Sequence, residues 1–220
     1  TRHYLNGIYL HKTVLENKSF LCGVATDSHR LSSSSIEIDK NIHIESIILP
    51  KKTIFQLISL LEQSNKSIEI SNNKSKIKFK MDSGVLISKV IDGRFPDYNK
   101  VIPKDNNKVL EIKLNEFKNS IERVTTVSAD RKEGLKMSIS KDFVQLSVNN
   151  PNTGEGVESI SAKFNSNDLN ISFNSRYLTD IASQIENDLI TIYLKDPGSP
   201  VLIKDFLDKN SFHVVMPMKI

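Results

Sequence analysis

The chain has 220 residues, 38% of them hydrophobic and 25% charged, and carries a net charge of +4. This is an ordinary globular composition with room for one large domain or two small ones. It contains no apolar run of bilayer length and no secretory signal, and its mild positive charge does not by itself establish nucleic-acid binding.

Cys22 is the only cysteine, which excludes an intrachain disulfide and fits a reducing, cytoplasmic compartment. It reads as a small buried hydrophobe in a strand. The start at Thr1, without an initiator Met, points to a processed or cut chain.

The first half reads as short strands. One begins near Tyr4-Leu5-Asn6-Gly7-Ile8, and Phe20, Cys22 and Val24 alternate with Leu21, Gly23 and Ala25 in a strand covered on both faces. Ser33-Ser34-Ser35 is expected to break the pattern before Ile36 and Ile38. Pro50 suits the first turn of a helix in which Ile54, Leu57, Ile58 and Leu61 share the inward face. Strands then follow at 67–71, 76–80 and 85–90, parted by Asn72-Asn73 and Asp82-Ser83-Gly84 turns.

The second half repeats this order. A strand at 169–173 leads to a helix capped by Asn174, with Tyr177, Leu178, Ile181 and Ile185 inward, and strands follow at 189–194, 201–206 and 212–217. Strand, helix and three strands twice over is an internal duplication. The second half also opens with a strand at 109–113 and a helix from Asn115 that aligns Phe117, Ile121 and Val124, before Leu135, Met137 and Ile139 resume alternation. By the logic of the repeat, a matching strand and helix belong ahead of Thr1.

Between the halves lies Asp92-Gly93-Arg94-Phe95-Pro96-Asp97-Tyr98-Asn99-Lys100-Val101-Ile102-Pro103. Gly93 permits a positive φ, and the prolines favour extended backbone before them. The apolar Phe95, Tyr98, Val101 and Ile102 are more than a linker needs, so they are buried or kept for a partner. The C-terminal 212–220 run is similarly apolar, and Met216 and Met218 share a side if it is extended. Met side chains adapt to varied apolar partners.

No catalytic set is legible. Asp27-Ser28-His29 has the residue types of a hydrolytic triad, but in extended backbone Ser28 points away from its neighbours. His43-Ile44-Glu45 has no Cys-x-x-Cys beside it, and there is no glycine-rich phosphate loop. No metal site or cofactor is expected. The small basic clusters Arg2, Lys51-Lys52 and Arg131-Lys132 read singly as solvated faces.

Taken together, Thr26-Asp27-Ser28-His29-Arg30-Leu31, Asp92-Gly93-Arg94-Phe95-Pro96-Asp97-Tyr98 and Val214-Val215-Met216-Pro217-Met218-Lys219-Ile220 resemble the bacterial sliding clamp family, the beta subunit of DNA polymerase III. Arg2-His3-Tyr4-Leu5-Asn6-Gly7 and Asn174-Ser175-Arg176-Tyr177 match it in the same order. The resemblance implies an α+β DNA-clamp fold of duplicated domains, each with antiparallel sheets and two helices. Residues 1–105 then correspond to the middle domain without its first strand and helix, and 106–220 to the C-terminal domain.

It further implies a non-catalytic processivity subunit. Two subunits of the family form a ring around duplex DNA, and the ring tethers polymerases, the clamp loader and repair proteins through Gln-x-x-Leu-Phe-type motifs. Matched residue by residue, the peptide pocket takes Thr26, Ser28, His29, Arg30, Leu31, Pro96, Lys100, Val101, Asn174, Tyr177, Val214, Met216, Pro217 and Met218. Ser28 stands where Gly is also common, and Lys100 and Lys219 stand where Arg is frequent. Arg2, His3 and Tyr4 match a segment that approaches DNA, Lys51 and Lys52 begin a hole-lining helix, and Thr126 and Val127 match the subunit contact. A chain lacking the first domain is expected not to close into a ring and to be a monomer, or a non-native dimer through exposed strand edges, with no membrane association. Without the resemblance, the rival readings are a generic nucleic-acid-binding module and, further off, a hydrolase using His29.

Overall fold

The computed structural model describes residues 2–62, 67–128 and 134–219. Arg131 and Lys132, one of the basic clusters, lie outside the described residues, as do Thr1 and Ile220. The chain divides into two compact units, one of residues 1–27 and 32–97, the other of residues 28–31 and 98–220.

In the first unit, β1 (Gly7–Leu15), β2 (Lys18–Thr26), β3 (Arg30–Ile38, from Ser32 onward in this unit) and β4 (Ile47–Pro50) lie in the order β3-β2-β1-β4. Helix α1 (Lys51–Leu61) follows Pro50 directly. Then β5 (Glu69–Asn72), β6 (Lys76–Met81) and β7 (Gly84–Lys89) form a three-stranded antiparallel sheet. Period-two alternation buries Ile77, Phe79 and Met81 of β6, and Ile54, Leu57, Leu60 and Leu61 of α1 pack against that core.

Several expectations for this unit are corrected. The serine run does not break the chain, because β3 continues through it with Ser33 buried; strand pairing overrides the weak propensity of serine. Ile58 is exposed and Leu60 takes the inward place, since a helix 11 residues long presents 54, 57, 60 and 61 to this sheet. His3–Leu5 is a 3-10 turn rather than a strand. Within this unit the connector's Phe95 is buried, stacked on Tyr9 with ring centroids 4.9 Å apart, and Tyr9 stacks in turn on His11. Gly93 has φ 147, and a Cβ there would stand 3.2 Å from the Tyr4 Cβ. Here only glycine fits without strain.

The second unit holds β8 (Lys108–Lys113), α2 (Leu114–Val124), β9 (Gly134–Ile139), β10 (Phe143–Asn150), β11 (Gly154–Phe164), β12 (Leu169–Asn174), α3 (Ser175–Ala182), β13 (Leu189–Leu194), β14 (Val201–Lys204) and β15 (Ser211–Val215). The strand order is β12-β9-β10-β11-β8-β13-β14-β15. One core fills it: Leu114, Phe117, Ile121 and Val124 of α2 and Leu178, Ile181 and Ala182 of α3 meet the inward residues of every strand. Strands β10 and β11 had no counterpart in the sequence reading, where Gln145, Ser147, Glu155 and Glu158 obscured an alternation that buries Val144, Leu146, Val148 and Ile160. Ile185 is buried but lies beyond α3, and Phe206 is exposed rather than in a strand. Element order repeats as expected, β4-α1-β5-β6-β7 against β12-α3-β13-β14-β15.

Asp205 anchors the loop between β14 and β15. Burial alone would raise its carboxyl, but backbone N–H groups of Glu186, Leu207, Asn187 and Asp208 outweigh that and hold it below the ordinary range. Two of these bonds measure 2.9 Å from Glu186 N and 2.8 Å from Leu207 N. Because the folded pKa is depressed, the stabilisation is present above the unfolded value and is lost as pH falls through the folded one. Asp205→Asn should therefore cost about 1–3 kcal/mol at neutral pH. Urea unfolding at pH 7 and again near pH 3 checks this, and the gap between the two proteins should close at the acid end.

Candidate functional site

The site grows from the turn before β3. Thr26 closes β2 in the first unit, while Ser28, His29, Arg30 and Leu31 belong to the second. The extended backbone expected at Asp27-Ser28-His29 is instead a turn, with Ser28 at φ 77. A β-carbon is costly in that region, which is the physical reason a glycine suits the position.

The turn places Arg30 against α3. Its guanidinium lies 4.3 Å from the centre of the Tyr177 ring, and Nη1 donates to Asp180 Oδ2 at 2.6 Å. A planar cation held by a ring face and a carboxylate has its orientation fixed from two sides. Asp180 was not anticipated; its only sequence signal was its place three residues after Tyr177, on the same helical face. Asn174 caps α3 as expected, its Oδ1 accepting from Arg176 N at 3.0 Å. Asn174→Ala should cost about 1 kcal/mol of stability, read as a shift in the urea midpoint, and should loosen the turn that presents Tyr177.

The C-terminal tail is tied down rather than frayed. Met216 N donates to His29 O at 2.8 Å, and Met218 N donates to Ser172 O at 2.7 Å. With those amides pinned, Val214 and Val215 are buried while the Met216 and Met218 side chains remain 41% and 37% exposed. Pro217 between them is half-buried. Residues 216–219 form no strand, because their hydrogen bonds go to two separate segments.

Beside Met216 runs an open groove of about 370 Å³, lined by Lys100, Val101, Ile102 and Pro103 of the connector, by Pro200, and by the polar Lys104, Asp105, Asn106, Lys195 and Ser199. Val101 is 51% exposed although apolar. Within the second unit the structure thus brings Lys100 and Val101 to Met216, Arg30 to Tyr177, and His29 to the tail. Leu31 is buried there. Pro96 is exposed in the first unit, directly after buried Phe95.

The other expected residues fall elsewhere. His3 Nε2 is 3.2 Å from Asp92 O, His3 and Tyr4 meet edge to face, and Arg2 precedes them, all in the first unit. Lys51 and Lys52 are exposed in the first turn of α1, with Lys51 Nζ 5.7 Å from the centre of the Phe55 ring. Thr126 is exposed in the 3-10 turn Thr125–Val127, and Val127 packs on the second unit's core. Among the described residues, no group of three or more His, Cys, Asp or Glu could hold a metal, and no helix is long and apolar enough to cross a membrane.

Comparison with known proteins matches these features. Residues 1–97 match the central domain of the DNA polymerase III beta subunit, and residues 99–219 match its C-terminal domain. The beta sliding clamp of Caulobacter vibrioides is 34% identical over the whole chain, and that of Escherichia coli is 29% identical. The chain spans about 59% of the length of either relative. Among solved structures, the griselimycin-bound sliding clamp of Bartonella birtlesii covers the whole chain at 37% identity and a TM-score of 0.95, with 60% of that chain matched. A Caulobacter crescentus clamp gives a TM-score of 0.95 at 34% identity, again with 60% of that chain matched. A chain whose two units match successive clamp domains, with Arg30, Tyr177 and the methionine tail gathered in the second, belongs to the DNA polymerase III beta subunit family, the bacterial sliding clamps.

Proposed function

We propose that this chain supplies the middle and C-terminal parts of a DNA sliding clamp, a non-catalytic cytoplasmic protein that tethers replication enzymes to duplex DNA. Its second unit takes short partner segments of the Gln-x-x-Leu-Phe type. The observation that carries this is the tail: two backbone bonds hold Met216 and Met218 with both residues partly exposed, and Met216 borders a groove that Val101 and Pro200 also line. Exposed, adaptable apolar groups on a fixed backbone are what a pocket for Leu and Phe side chains requires. Arg30, pinned by Tyr177 and Asp180, supplies a positioned donor for the polar part of the motif.

Lys100 completes the proposed pocket in the second unit, and Thr26 and Pro96, which stand in the first, are proposed to take part in partner binding. Arg2, His3, Tyr4, Lys51 and Lys52 are proposed to meet DNA phosphates weakly, as a tether that must slide requires. Thr126 and Val127 are proposed as part of the subunit contact of the whole ring, whereas this chain alone is expected to be monomeric.

Titration of a labelled Gln-Leu-x-Leu-Phe peptide should give a Kd near the micromolar range, roughly −8 kcal/mol. Short linear duplex DNA should bind far more weakly at physiological salt. The reverse order of affinities would favour a nucleic-acid-binding module instead. Griselimycin, which the Bartonella birtlesii clamp binds, should compete with the peptide.

A further inference from the structure

The outer face of the β5-β6-β7 sheet plays no part in the site above. Strand β6 buries Ile77, Phe79 and Met81 on one side, so Lys76, Lys78 and Lys80 all stand on the other. Alternate residues of a strand are about 6.7 Å apart, and the three lysine side chains leave the strand in a column at that spacing.

Register adds neighbours on both flanks. Lys76 pairs with Lys89, Lys78 with Ile87 and Lys80 with Val85 on β7, and Lys80 pairs with Glu69 on β5. Val85 and Ile87 are 54% and 61% exposed. Glu69 reaches Lys80 at 3.6 Å, and Asp82 follows in the hairpin. Both carboxylates sit toward the Lys80 end, which leaves Lys76, Lys78 and Lys89 as the strongly positive end, with Lys74 in the adjoining turn.

We propose that this lysine column and its aliphatic flank form a second docking surface, for an acidic segment of a partner protein that carries aliphatic side chains among its carboxylates. Carboxylates at alternate positions of an extended segment match the lysine spacing. The aliphatic side chains between them point away from the carboxylates, so the segment lies on edge along the seam between the two columns, its carboxylates turned to the lysines and its aliphatic side chains to Val85 and Ile87, about 4.8 Å across. Phosphate would satisfy the lysines but would leave those two side chains in water. Binding single-stranded nucleic acid also draws on aromatic platforms for the bases, and the aromatic residue of β6, Phe79, is buried on the opposite side. The face therefore fits an acidic protein segment better than a nucleic acid.

The test uses fluorescence anisotropy with the labelled peptide Glu-Val-Asp-Leu-Glu-Val-Asp-Leu. It should bind, weaken as salt rises, and lose about tenfold or more in affinity to a Lys76→Gln, Lys78→Gln, Lys89→Gln variant. A control peptide of equal charge, with Ser at the aliphatic positions, should bind several-fold more weakly. The variant should keep the urea midpoint and the Gln-Leu-x-Leu-Phe affinity of the parent; if it fails to fold, Lys78→Gln alone carries the test. No binding up to about 1 mM, undiminished binding by a folded variant, or tighter binding of oligodeoxythymidine at the same salt would each overturn the proposal.

Discussion

Met218→Ala should weaken binding of a Gln-Leu-x-Leu-Phe peptide by about 1–3 kcal/mol, roughly five- to 150-fold, and leave the protein folded. The size follows from what the side chain does before and after binding. It is 37% exposed in the free protein, so covering what is still in water supplies only about a third of the roughly 1.5–3 kcal/mol of full Met burial, and the partner's Leu or Phe surface left uncovered by the truncation supplies the rest. The backbone bond from Met218 N to Ser172 O survives the substitution, which separates lost apolar contact from a loosened tail. Removing residues 218–220 takes away both and should cost more. Stability should hardly change, because Met218 is outside the core of the second unit. Isothermal titration alongside urea unfolding reads both quantities, and unchanged peptide affinity in the folded variant would count against the site.

Phe117→Ala should cost about 3–5 kcal/mol of stability, a large share of the roughly 5–15 kcal/mol a domain possesses. Phe117 has no exposed surface and sits in α2 with Leu114, Ile121 and Val124 against the sheet. Truncation loses its apolar burial and leaves a cavity that the surrounding strands can only partly close. Collapse is hindered on one side by the approach of β11, where a Cβ on Gly156 would come within 2.4 Å of the Val124 carbonyl oxygen. The bidentate pair between Arg123 and Glu158 also ties α2 to β11. Urea unfolding provides the measurement, and a loss under about 1 kcal/mol would mean that α2 is not seated as described.

Periodicity carried most of the fold. Clean alternation in β6, β9 and β13, and three- and four-residue spacing in α2 and α3, placed those elements close to where they stand. It failed where a feature depended on a distant partner. Ser33 belongs to a strand because β2 pairs with it, and Ile58 turns outward because of where α1 meets its sheet. Neither fact is local to the sequence.

The site followed the same division. Asn174 was legible as a cap because capping is local chemistry. The apolar connector and tail were conspicuous because exposed hydrophobes need a reason. Asp180 as the partner of Arg30, and Ser172 as the acceptor for Met218, join residues far apart in the chain and required the fold. The left-handed turn at Ser28 was hidden because serine gives no local cue to a positive φ.

The most direct measurement of the central claim uses the protein's four methionines. Met216 and Met218 are exposed at the proposed pocket, whereas Met137 is buried in the second unit's core and Met81 in the first unit's. Carbon-13 labelling of the methyl groups allows all four to be followed while Gln-Leu-x-Leu-Phe peptide is added. The account predicts saturable shifts at Met216 and Met218, accompanied by the Tyr177 ring, with Met81 and Met137 still. Shifts confined to the buried pair, or none at any methionine at peptide concentrations well above micromolar, would contradict it.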